Sequence, residues 1–266
     1  MKTLVIGNST DFVNTTDHLN KHNCAYKVRS RGLSKVVMLN GNKGIMRFYD
    51  NKMSSAFLSG MVRRDIDKFI EKKGVPFIYD KFYNTQYVNV AAIEKVIGVP
   101  VYCIDINYCY FQTAYNLGYI SKKTFKRGTD GDNHTKLKEG VLAAIGGLNS
   151  LDFYEEYNKG QKVREYIDWE KHKKYSPFYW NVIAEVWYLM DECKRILGND
   201  MYMWLTDCCY TSEKRKQEVY DLFEKKGYKC KHFIADFERV DEKNKMVYWF
   251  DTKANRTKGI PYYNNY

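Results

Sequence analysis

Apolar residues along this chain recur with two periods, one of strands and one of helices. In the first forty-odd residues the short runs LVIG, AYKV and KVVML stand between Asn, Ser and Gly, the pattern of strands joined by turns, and KGIMRFYDNK closes a hairpin. Ser54 or Ser55 can cap a helix in which Phe57, Met61, Phe69 and Ile70 recur until Gly74 and Pro76 stop it. AAIEKVI predicts a shorter helix ending at Gly98. VPVYCIDIN reads as a buried strand that delivers Asp105 where apolar residues give way to polar ones. SKKTFKRGTDGDNH is a basic, polar connection into a helical run, TKLKEGVLAAIGGL. Val182, Ile183, Val186, Leu189, Met190, Cys193 and Ile196 then mark a long helix over residues 178–197, ended by Gly198. MYMWLTDCCYT reads as one strand with Asp207 embedded in it, followed by an amphipathic helix through Val219, Leu222 and Phe223 to Gly227. KHFIADFERV and KMVYWFDTK pair across DEKN as a hairpin.

This order predicts an α+β fold, an antiparallel sheet with helices packed on one face. The expected division is an N-terminal α/β elaboration over residues 1–100, a sheet domain over 101–254 and a flexible basic and aromatic tail over 255–266.

Composition narrows the function classes. Hydrophobic residues are 44% of the 266, enough apolar area to offset the entropy of folding, so disorder is expected at most in the tail. Lys and Arg number 43 against 32 Asp and Glu, a net charge of +11 that attracts polyanions. Nucleic acid is the first candidate partner, and a solvated basic surface without a ligand is the alternative. The seven Cys, at 24, 103, 109, 193, 208, 209 and 230, form no Cys-x-x-Cys pair, so neither a zinc cluster nor a secreted disulfide framework is indicated and a reducing cytoplasm is expected. His18 and His22 have the spacing of two ligands on one helical face, but no acidic or Cys partner lies nearby in sequence. MKTLVIGNSTD lacks the long apolar region of a signal peptide, and no run of about 18 apolar residues predicts a membrane span.

Three segments carry candidate chemistry. DINYCYF at 105–111 ends a strand with Asp105 and follows it with Asn107 and Tyr110. KEGVLAAIG at 138–146 sets Lys138 and Gly146 at the two ends of a helical stretch. MWLTDC at 203–208 places Asp207 within an apolar run, where a carboxylate is costly to bury unless a metal or hydrogen bonds compensate it.

In order and form these segments resemble motifs A, B and C of the family B DNA polymerase palm, most closely the DxNSxYP, KxxxNSxYG and YxDTDS forms of protein-primed phage enzymes. The resemblance covers about residues 101–250. It implies Mg2+-dependent nucleotidyl transfer from deoxynucleoside triphosphates, with Mn2+ as a possible substitute. Asp105 and Asp207 would bind the metal ions. Asn107 falls on a motif position, and Tyr110 would lie under the sugar and exclude a ribose 2′-hydroxyl. Lys138 would reach the triphosphate, and Gly146 would let the template base approach. Lys122, Lys123, Lys126 and Arg127, in the short connection that replaces the long fingers insertion, would add cations for the triphosphate.

Departures are also plain. Leu142 and Ile145 replace the Asn and Tyr of motif B, and Leu205 and Met203 replace one Asp and the Tyr of motif C. A second register sets Asp207 on the first Asp and Cys209 on the second, which implies a dead site. Exonuclease motifs and a thumb are not evident. Two readings therefore stand, a minimal polymerase-like nucleotidyltransferase and a silent palm relic that binds nucleic acid or a replication protein. A Rossmann-like nucleotide site at MKTLVIGNSTD has one Gly where a GxGxxG turn needs three.

Overall fold

The computed structural model describes residues 3–5, 9–31, 34–39, 45–49, 54–78, 86–130 and 134–263. In chain order the elements begin with β1 (Thr3–Val5), α1 (Ser9–Lys21), β2 (Tyr26–Arg31), β3 (Ser34–Leu39), β4 (Ile45–Tyr49) and α2 (Ser54–Lys73). Then follow β5 (Gln86–Val88), α3 (Val90–Ile93), β6 (Pro100–Ile106), α4 (Cys109–Asn116), α5 (Lys122–Thr129) and α6 (His134–Gly146). The chain continues through β7 (Phe153–Asn158), β8 (Gln161–Ile167), α7 (Trp169–Leu197), β9 (Met201–Leu205) and β10 (Cys208–Thr211). It closes with α8 (Lys216–Lys225), β11 (Cys230–Asp241), β12 (Met246–Asp251) and β13 (Arg256–Pro261). The fold is α+β, and among the described residues every strand pairing but β1 with β4 is antiparallel.

Two compact units divide the chain, Met1–Ile78 with Tyr119–Trp180, and Tyr79–Gly118 with Asn181–Tyr266. This differs from a boundary at residue 100 because strand pairing is non-local: β7 adds to β2, while β5 adds to β9. In the first unit the sheet order is β1-β4-β3-β2-β7-β8. Tyr26, Val28, Val37 and Phe48 are buried with Leu19 of α1 on one of its faces. The sequence pattern predicts only strands and turns for the first forty residues. Instead Ser9–Lys21 is helical, with Phe12 and Leu19 spaced for one face and the Thr15 and Thr16 hydroxyls donating back to the carbonyls of Asp11 and Phe12.

The basic connection is also a helix. Ser121 caps α5 by accepting from the Thr124 N–H, and Asp65 of α2 accepts from the Ser121 N–H and hydroxyl and the Thr124 hydroxyl. Burial would raise the Asp65 carboxyl, but those hydrogen bonds outweigh it and hold the group below the ordinary carboxylate range.

The second unit carries the sheet β13-β12-β11-β6-β10-β9-β5. Along β6 alternate residues serve opposite faces: Ile104 and Ile106 join the core with α7 and α8, whereas Val101 and Cys103 join a second cluster with Tyr210, Phe237, Trp249 and Ile93. α7 starts nine residues before the expected position and carries Pro177 inside it, although an interior proline usually breaks a helix. Gly74 and Gly198 follow their helices with φ of +77° and +57°, the left-handed turn that glycine tolerates. Residues 256–261, expected to be a flexible arm, pair with β12 along their whole length. The expected hairpin of β11 and β12 is present, with a bulge between Phe237 and Arg239.

Candidate active site

Asp105 lies one residue before the end of β6, in register with Cys208 on β10 on one side and with Lys231 on β11 on the other. The stretch expected as one strand, 201–211, is a tight hairpin. Leu205 and Cys208 pair, and Thr206 and Asp207 form the turn between them, with Thr206 at φ +51°. That turn folds Asp207 beside the end of β6, where the Ile106 N–H donates to the Asp207 carbonyl at 3.3 Å. One ligand atom from each of Asp105, Asp207 and Cys208 lies within 4.8 Å of the others. This is the single such group of three metal-ligating side chains among the described residues, and it does not include His18 or His22.

Asp105 keeps 15% of its side chain exposed, and its two oxygens have different neighbours. Oδ2 meets Lys231 Nζ at 3.2 Å and Lys253 Nζ at 3.4 Å, while Oδ1 accepts from the Cys208 thiol at 3.3 Å. Lys231 Nζ also donates to Asn107 Oδ1 at 2.8 Å. The Asn107 N–H donates to the Lys229 carbonyl, the Gln112 side chain donates to the Gly227 carbonyl, and the Lys229 N–H donates to Gln112. These bonds tie the turn after β6 and the start of α4 to the segment leading into β11. Tyr108 makes that turn with φ +50°.

The thiols nearby feel both carboxylates. Cys208 is pushed well above the ordinary thiol value, first by its hydrogen-bonded neighbour Cys103, then by burial, then by the negative charges of Asp105 and Asp207. Cys109 is pushed up by burial and then by the same pair, and Cys230 rises to about 11 through burial, Glu224 and Asp105.

Asp105 and Cys208 open onto a cavity of about 680 Å³ that is also lined by Leu205, Thr206, Phe233, Trp249 and Lys253. Its far residues include Asp251, Arg256 and Lys258. Asp251 is buried and accepts from Lys258 at 2.5 Å. Burial would raise its carboxyl, but the Lys258 bond, the Ala254 N–H and the ammonium charge outweigh that and hold it below the ordinary range.

The structure thus brings Asp105, Asp207 and Asn107 together. Tyr110 is half-buried on α4 against the core under α7 and α8, and it is not among the residues lining the cavity. Lys122, Lys123, Lys126 and Arg127 lie on α5 and Gly146 ends α6, all in the other unit. Nothing lies within 4 Å of the space a Cβ at Gly146 would fill. Lys138 is on α6, and its side chain lies outside the described residues. Lys231 and Lys253 are inconspicuous in the sequence, because only the register of β11 and the turn after β12 bring them to Asp105. Comparison with protein-family models, with curated proteins and with solved structures finds no match.

Proposed function

We propose that this protein is a minimal nucleotidyltransferase of the family B polymerase type, extending DNA from deoxynucleoside triphosphates with two divalent ions. The observation that carries the reading is the convergence of Asp105, on the sheet face away from α7 and α8, with Asp207, in the turn beside the end of β6. Two carboxylates this close suit ions about 3.5–4 Å apart. Their donor chemistry also fits, since Mg2+ and Mn2+ take hard oxygen ligands and keep part of their water shell. When bound, such ions neutralise the triphosphate and activate the attacking hydroxyl.

The chain's own residues would position the rest. Lys231 and Lys253 hold positive charge beside Asp105, where phosphate oxygens need it, and Asn107 is fixed by Lys231. Arg256 gives the cavity wall a cation for a nucleic-acid backbone, whereas Lys258 in the same wall is paired with Asp251.

A second reading rests on Leu205, an apolar side chain at the motif position of a further carboxylate: a silent palm that binds nucleic acid or a replication protein. Primer extension separates the two. Incorporation that requires Mg2+ or Mn2+ supports the enzyme, and incorporation persisting in EDTA refutes the two-metal reading. Absence of incorporation together with salt-dependent DNA binding supports the silent palm.

A further inference from the structure

We infer that the carboxylate pair is a mixed hard and soft divalent site, in which the Cys208 thiolate joins Asp105 and Asp207 and makes the centre selective for ions of the Zn2+ and Cd2+ class. The inference rests on reading Asp105 and Asp207 as ion ligands, and it changes which ions that site prefers.

Strand register sets Cys208 directly across from Asp105, with both side chains on the same face of the sheet. Sulfur lies 3.3 Å from Asp105 Oδ1. With bonds of about 2.3 Å to sulfur and about 2.1 Å to oxygen, a tetrahedral ion sets such ligands about 3.6 Å apart, so a shift of a few tenths of an ångström brings this pair to the spacing an ion needs. Lys231 and Lys253 occupy Oδ2, which leaves Oδ1, the oxygen that already faces the sulfur, for the ion. Asp207 is the chain neighbour of Cys208, and its carboxylate completes the set within 4.8 Å.

Leu205 offers no donor where another carboxylate would make the site wholly oxygen. The third donor within reach is therefore sulfur. Two of the three ligands, Asp105 and Cys208, line an open cavity, which leaves a position for water or a substrate oxygen, the arrangement of a reactive rather than a closed structural site. Mg2+ makes little use of a thiolate, whereas Zn2+ and Cd2+ gain a strong bond from it and displace the thiol proton to solvent.

The test is a Cd2+ titration of the reduced full chain without nucleotide, in excess Mg2+, following the ultraviolet thiolate-to-cadmium charge-transfer absorption. The expected result is a band that saturates at one ion per chain. It should be lost in Cys208→Ser, weaken in affinity by on the order of 10–100-fold or more in Asp105→Asn and Asp207→Asn, and persist in Cys230→Ser. Circular dichroism of each variant confirms that it is folded. No band in the wild type, an unchanged band in Cys208→Ser, or full affinity in both carboxylate variants would overturn the inference. Because the readout needs no synthesis, its failure leaves Mg2+-dependent incorporation standing, and a failure of incorporation leaves the Cd2+ result standing.

Discussion

Replacing Asp105 by Asn separates a carboxylate kept for chemistry from one kept for stability. If Asp105 is a structural hub, its loss strips two ammonium groups of their partner inside the fold, and breaking a buried pair costs about 3–5 kcal/mol. Lys231 and Lys253 are not buried, however: 46% and 51% of their side chains are exposed, so both can turn to water. Pairs of that kind contribute about 0.2–1 kcal/mol each. Against this stands relief of like-charge repulsion from Asp207, whose ligand atom lies within 4.8 Å. The two effects nearly cancel, and Asp105→Asn should change folding stability by no more than about 1 kcal/mol. Its effect on incorporation should be far larger, because a neutral amide is a poor ligand for a hard cation. Loss of several kcal/mol of charge stabilisation lowers the rate by roughly 10³-fold. Urea unfolding and primer extension in Mg2+, with an EDTA control, measure both quantities on the same preparation. A variant that loses about 3 kcal/mol or more of stability, the buried-pair value, or one that extends primers at the wild-type rate, would refute the reasoning.

Changing Lys122, Lys123, Lys126 and Arg127 of α5 together to Gln should weaken DNA binding and flatten the slope of log affinity against log salt by roughly 0.7–0.9 for each phosphate no longer neutralised; an unchanged slope would remove α5 from the interface. Thr206→Gly should stabilise the fold by about 1 kcal/mol by relieving a β-branched residue at φ +51°, yet lower incorporation by loosening Asp207; equal or higher activity would show that the turn's stiffness is not used. Lys258→Met should cost about 2 kcal/mol in urea unfolding at neutral pH, since it leaves the buried Asp251 carboxylate without its cation. The folded pKa of Asp251 lies below its unfolded value of about 3.9, so its stabilisation is present above that pH and is lost as pH falls through the folded value; Asp251→Asn should therefore lose less stability on acidification than the wild type, and parallel acid titrations would contradict this.

Some of this fold is written locally and some is not. β6 is legible because PVYCIDI alternates between two buried faces and breaks at a polar turn, and the β11 and β12 hairpin is legible because DEKN is a turn sequence between two apolar runs. The β9 and β10 hairpin is hidden because MYMWL and CCYT are both apolar and the two residues between them include no Gly or Asn. The helix α5 is hidden because KKTFKRGT is a weak helix former, held by Ser121 and by Asp65 from α2. β13 contains Gly259 and Pro261, residues that argue against a strand unless it lies at an edge, as this one does.

The site divides along the same line. Asp105 and Asp207 could be named because each is an acid in an apolar setting, a conflict local enough to be visible in the sequence. Lys231, Lys253 and the role of Cys208 could not, because a solvent-facing lysine and a half-buried cysteine are unremarkable until strand register sets them against Asp105. The strained Thr206 turn links the two levels. A hairpin selected for stability alone would place Asn or Gly there, yet this chain holds a β-branched residue in the left-handed region, at a cost of about 1–2 kcal/mol, in the turn that sets Asp207 beside Asp105. The Ile106 N–H to Asp207 carbonyl bond then clamps that turn to the strand carrying the other carboxylate. Lys159 and Lys245 take the same left-handed conformation in the β7–β8 and β11–β12 turns, so the strain alone assigns no ligand; what the Thr206 turn contributes to the site is the placement of Asp207 beside the end of β6.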